Sequence, residues 1–227
     1  MSKFLSASIG RKFLMSITGL FLMLFIVVHL AVNLLLIFDD SGDLFNLGAH
    51  FMATNPAVRI MEPLLGLGFL IHIIWSFIIS WENWKARPVK YNKQDLSGAS
   101  SWSSRNMLII GLLVLFFLVI HIYDFYWKMK VSGSPLLEHV TVRGVDMENA
   151  YALVSSCFIG DWIFSLLYVA GGILLGLHLI HGFWSSFQTI GLNNKVWMSR
   201  LQTVAKVYAI LVAVGFAIIP IYFLIKF

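Results

Sequence analysis

An all-α bundle of five membrane-spanning helices, with its N-terminus in the cytoplasm, is the fold this sequence predicts. Three observations carry the prediction. The 227 residues are 59% hydrophobic and 12% charged, with a mean hydropathy of +0.84. A soluble domain averages about 45–50% apolar and about 25% charged residues. Five apolar runs each exceed the roughly 20 residues needed to cross the hydrocarbon core. Four of those runs carry histidine: His29, His72, His121, and the pair His178 and His181. An ionisable side chain in such a run is costly, so it is expected to have a partner and a task.

The expected spans run from about Leu14 to Phe38, Ala57 to Trp81, Asn106 to Trp127, Ser155 to Trp184 and Val204 to Ile225. Each is long enough to cross with some tilt. Trp75, Trp81 and Trp84 gather at the end of the second span, and Tyr123, Tyr126 and Trp127 at the end of the third. Such rings prefer the membrane–water interface. The first apolar run is longer than the hydrophobic stretch of a signal peptide, so it is read as a retained helix. A single membrane domain, residues 1–227, accounts for the whole length. One cysteine, Cys157, excludes an internal disulfide, a zinc cluster and an iron–sulfur cluster. No C-x-x-C-H occurs, which excludes covalently attached haem.

Charge sets the orientation. The N-terminus, the loop after the second span and the loop after the fourth hold Lys3, Arg11, Lys12, Lys85, Arg87, Lys90, Lys93, Arg105, Lys195, Arg200 and Lys206. Those 11 basic residues face only Glu82 and Asp95. The opposite side holds 5, namely Arg59, Lys128, Lys130, Arg143 and Lys226. The positive-inside rule then puts the N-terminus in the cytoplasm. The net charge of +5 and pI near 9.4 suit contact with anionic lipid and argue against nucleic acid as a partner. The long segment from Lys128 to Gly160 is expected to fold back over the outer face. Gly66, Gly68, Gly171, Gly172 and Gly176 would let helices approach closely, and the last three would let a flat ring lie against the fourth span.

Topology gives each histidine a depth. His29 and His121 fall in the outer half of the bundle, His72 and His178 in the inner half, with the two levels about 10–15 Å apart. Two stacked pairs of imidazoles suit two haems, because haem is flat and apolar and takes axial ligands from opposite sides. Zinc fits less well, since it gathers three or four ligands at one level. The plain alternative is that each histidine is a hydrogen-bonded polar residue between helices. His181 follows His178 by about 300° of helix, so it faces nearly the same way and competes for ligation. It is assigned instead to a haem carboxylate. His50 and His139 lie in loops and are read as exposed residues.

Three stretches carry a resemblance: SIGRKFLMSITGLFLMLFIVVHLAVNL, the SRN opening of the third span with its ending IHIYDFYW, and LHLIHGFWSSFQTIG. Together they make the chain resemble the cytochrome b membrane anchor of bacterial succinate dehydrogenase and fumarate reductase, the five-helix, two-haem type carried on one polypeptide. The resemblance covers essentially the whole chain. It implies two haem b, the outer held by His29 and His121 and the inner by His72 and His178. It also implies a location in the bacterial cytoplasmic membrane and two partners: a flavoprotein subunit with FAD, where the dicarboxylate chemistry occurs, and an iron–sulfur subunit. Electrons would pass through the haems to a quinone, menaquinone for this type.

The remaining site residues follow from the chemistry that such a site needs. Arg11, Lys12, Ser16 and Thr18 are candidate partners of the inner haem carboxylates. Glu62, beside Pro63 at the outer end of the second span, is the candidate proton partner of the quinone, with Asp124 as its rival. Two other functions compete. One is the cytochrome b subunit of a hydrogenase or formate dehydrogenase. The other is a cofactor-free transporter whose histidines relay protons, which the lack of paired carboxylates and broken half-helices disfavours.

Overall fold

The computed structural model describes residues 8–86 and 102–227. The expected charges Lys3, Arg87, Lys90, Lys93 and Asp95 lie outside the described residues. The chain folds as an α-helical bundle in which five helices are long and apolar enough to cross a membrane. In order they are α1 (Ser8–Phe38), α3 (Pro56–Lys85), α5 (Met107–His121) together with the helical turns that carry it on to Lys130, α8 (Trp162–Thr189) and α9 (Lys195–Lys226). Short elements join them: α2 (Asp43–Thr54), α4 (Trp102–Arg105), α6 (Lys128–Lys130) and α7 (Ala150–Phe158), with a hairpin of β1 (His139–Val142) and β2 (Val145–Glu148). A π-helical turn, Ile122–Trp127, carries α5 on into α6.

Three of the long helices, α3, α8 and α9, begin where polar side chains cap them. The Asn55 side chain accepts from the backbone N–H of Ala57 at 2.9 Å, and Pro56 fills the first helical position, where no N–H is needed. Asp161 accepts from the Phe164 N–H at 2.9 Å, and Asn194 from the Trp197 N–H at 2.9 Å. These caps correct two expected boundaries. The fourth span does not start at Ser155. The chain forms the separate helix α7, breaks at Gly160 with φ +75, and restarts at Trp162. The fifth starts at Lys195, about two turns before Val204, because Asn194 satisfies its first turn.

The bundle is organised around α1 and α8. Helix α9 lies along α8 and also touches α1, α1 packs on α3 and α8, and α5 packs on α8. Without a hydrophobic drive between helices in lipid, close approach through small residues matters most. A Cβ at Gly176 would stand 2.8 Å from the Ala213 Cβ and 3.1 Å from the Ala209 carbonyl, so α9 sits directly on this glycine. Gly172 faces Ala213 and Phe216 of the same helix. Gly171 instead receives the Phe117 ring of α5, whose nearest atom lies 2.4 Å from where a Cβ would be. No flat cofactor is needed to explain these three glycines. Gly68 faces Phe21, but Gly66 meets nothing within 4 Å and makes no helix contact. Outward-facing Leu24, Leu70, Phe116 and Leu211 are exposed, as a lipid-facing surface requires.

The end of the bundle away from the N-terminus is capped. There α2, the hairpin and α7 fold over the helix ends, and Phe45, Val154 and Phe158 join Leu36, Tyr168, Ile219 and Phe223 in one core. Asn46 donates to the Asn149 side chain at 3.1 Å and accepts from the Tyr151 N–H at 2.8 Å, which ties α2 to α7. The hairpin turns through Arg143 and Gly144, both at positive φ, and an exposed His139–Asp146 pair at 2.7 Å closes it.

Asp39 starts α2. The N-cap residue itself, Gly42, has no side chain, and Asp39 accepts from the Leu44 N–H at 3.0 Å and from Ser41 at 2.8 Å. The Leu44 amide and the Ser41 hydroxyl hold the Asp39 carboxyl below the ordinary carboxylate range. A depressed folded value gives stability that is present above the unfolded value, near pH 4, and lost as pH falls through the folded one. Protection of the Leu44 amide from hydrogen exchange is therefore expected to fall below about pH 4. Asp39→Asn should abolish that pH dependence. A pH-dependent protection that survives in the variant would refute the assignment.

Candidate functional site

The four histidine-bearing helices form a square. Its packed sides are α3–α1, α1–α8 and α8–α5, so α1–α5 and α3–α8 are the diagonals. The histidines face one another along those diagonals. His29 of α1 and His121 of α5 have ring centroids 5.6 Å apart and planes at 90°. His72 of α3 and His178 of α8 lie 6.3 Å apart at 70°. Gly19 abuts His72 and Gly111 abuts His178. His29 comes ten residues after Gly19, and His121 ten after Gly111, so the two levels are separated by about 15 Å of helix.

At the level nearer the N-terminus, His72 is collared by α1 and α8. Thr18 Oγ1 lies 3.3 Å from its Nδ1. A Cβ at Gly19 would come within 3.4 Å of its Cε1 and of Ser186 Oγ. Among the described residues, the Nδ1 atoms of His178 and of His181 are both buried without a hydrogen-bond partner. His181 lies edge-on to Trp184, with centroids 4.8 Å apart. Ser16 is buried and bonds back to the Lys12 carbonyl at 3.0 Å, while Lys12 itself is exposed. Arg11 forms an ion pair with Glu82, which joins the start of α1 to the end of α3.

The level nearer the cap is aromatic. Phe25 stacks on His29 at 5.1 Å. Asn33 donates to the His29 carbonyl at 2.8 Å. Phe117, Phe125 and Tyr168 surround His121, whose Nδ1 is also buried and unpartnered. The π-helical turn follows at once. It buries Asp124, which pairs with Lys128 at 3.3 Å, and it turns Tyr126 toward α3, where the hydroxyl donates to Glu62 at 2.8 Å. Sequence reading missed Tyr126 and assigned Thr18 to a different partner. Contacts made across helices leave no signal in the spacing along one of them.

A flat metallocofactor fits these residues. The histidines gather in twos on opposite sides of each level, which leaves the remaining ligands to come from the cofactor itself. Two imidazole nitrogens that each bind a metal at about 2.0–2.1 Å stand about 4 Å apart, a separation that centroids 5.6 and 6.3 Å apart permit. A buried, unpaired polar atom costs about 1–3 kcal/mol. The site thus already carries a desolvation cost that fixed orientation for ligation would explain. Comparison with protein families, with curated proteins and with solved structures gave no match.

Proposed function

We propose that this chain is the cytochrome b membrane anchor of a bacterial succinate dehydrogenase or fumarate reductase. In this reading it carries electrons between an iron–sulfur subunit and menaquinone through two haem b, each held by two histidines. The observation that supports it most is the placing of four intramembrane histidines as two facing pairs, on the two diagonals of one helix square. Lone hydrogen-bonded histidines have no reason to pair in this way.

His29 and His121 would hold one haem, and His72 and His178 the other. Held by two histidines, each haem would supply a one-electron carrier suited to electron transfer rather than oxygen chemistry. The chain's own residues bind, orient and exclude water. Phe25, Phe117, Phe125 and Tyr168 keep the level near the cap dry. Exposed Lys12 is available to a haem carboxylate, whereas Arg11 is already engaged with Glu82. His181, beside Trp184, remains the other candidate for that role. The excess of Lys and Arg at the N-terminal end supports a cytoplasmic position for that end, where it would face the iron–sulfur and flavoprotein partners. The capped end then faces outward, and Glu62 is the proton partner of the quinone there.

A reduced-minus-oxidised optical spectrum of the purified chain, with haem quantified against protein, tests this reading. Two haem b per chain are expected, and none would overturn it. Co-purification with a flavoprotein and an iron–sulfur protein separates this complex from a hydrogenase or formate dehydrogenase. Glu62→Gln keeps the side-chain shape and the Tyr126 contact but removes the titrating group. In the purified complex, quinone-linked turnover is expected to fall about 10²-fold or more, the usual scale for a lost proton-transfer group. Succinate oxidation with a soluble acceptor should persist. Unchanged quinone turnover would eliminate Glu62 and point to Asp124.

A further inference from the structure

We infer that Thr18 is a positioning residue for His72, fixing which of its ring nitrogens is free to bind a metal. The inference rests on the haem reading above and concerns one nitrogen within it. Thr18 is buried, and its hydroxyl has one proton to give. That proton goes to the carbonyls one turn back, Leu14 at 2.9 Å and Met15 at 3.1 Å. Toward His72 Nδ1, 3.3 Å away, the oxygen then has only lone pairs to offer. With the hydroxyl proton on a helix carbonyl, Nδ1 carries the ring proton toward Thr18 Oγ1, the Met15 carbonyl also hydrogen-bonds the ring, and Nε2 keeps its lone pair for a metal. Gly19 borders the ring edge, where a Cβ would come into van der Waals contact with Cε1 at 3.4 Å. Ser186 donates to the Gly182 carbonyl at 2.8 Å and, among the described residues, makes no hydrogen bond to His72. The facing His178 has no such partner, so the two ligands of this level are unequal.

An N–H that is hydrogen-bonded makes the imidazole a more basic ligand and favours the oxidised metal. Thr18→Val keeps the shape and removes the acceptor, while Thr18→Ser keeps the oxygen. Redox titration of the purified wild type and both variants, followed by the haem spectrum, is the test. In Thr18→Val one of the two haem potentials should rise and the other stay in place, with Thr18→Ser restoring the wild-type value. A hydroxyl that only bonds back to its own helix would leave both potentials unchanged in Thr18→Val, which overturns the inference. If Thr18→Val instead loses one haem, recovery by Thr18→Ser supports the inference, and loss in both variants overturns it. Wild-type protein without haem would overturn the haem reading itself, so the two failures are distinct.

Discussion

His178→Ala is expected to remove one of the two haems, and His181→Ala to leave both in place. The two residues lie three apart on one helix, and ring direction separates them. His178 faces His72 across the α3–α8 diagonal, whereas His181 is set against Trp184. On the haem reading, each of the paired histidines would hold one haem, so the expected effect of losing one is about one haem equivalent per chain, read from the pyridine haemochrome. His72→Ala should give the same loss as His178→Ala, and the double variant no further one, because both residues serve one centre. Retention of both haems in His178→Ala with loss in His181→Ala would reverse the assignment.

The second large effect is structural. Gly176→Leu is expected to force α8 and α9 apart. Even a single Cβ there would lie 2.8 Å from Ala213 and 3.1 Å from a backbone carbonyl that cannot rotate away. Overpacking of this kind costs about 1–3 kcal/mol and sometimes more, and the helix pair has little but close packing to hold it together in lipid. Gly66→Ala is the control. Its Cβ would meet nothing within 4 Å, and replacing a glycine inside a helix by alanine gains about 0.5–1 kcal/mol. Thermal unfolding in detergent should therefore move in opposite directions for the two variants. Equal midpoints would remove the close-packing argument.

The membrane bundle was plain in the sequence because a hydrophobic run of 20 or more residues has few other uses. The helix ends were less plain. Asp161 is an ordinary cap that the apolar residues around it absorbed into the span, whereas Asn194, between Asn193 and Lys195, lies well outside the apolar run. The π-helical turn was not visible at all. Nothing in IHIYDFYW marks the wider turn, and it is this turn that brings Tyr126 to Glu62 and buries Asp124. The glycines misled in a different way. Their spacing before His178 suggested a bed for a flat ring, but Phe117 and α9 occupy them. The glycines that adjoin the histidine rings, Gly19 and Gly111, belong to other helices. That the intramembrane histidines are the candidates was legible from their unfavourable location; which residues lie against them was not, because that depends on helix rotation.

Helix α3 has one more consequence. Among the described residues it packs along α1 and, near its start, on α2, while its flank toward α5 is bridged by the Tyr126–Glu62 hydrogen bond. In mechanical terms α3 is a door hung on α1, latched by Tyr126–Glu62 at the capped end and touching α8 through the His72–His178 pair. Elements with few packed neighbours open at the lowest free energy. The first sub-global opening expected of this molecule is therefore a swing of α3, which would part His72 from His178 and leave the α1–α8–α9 slab standing.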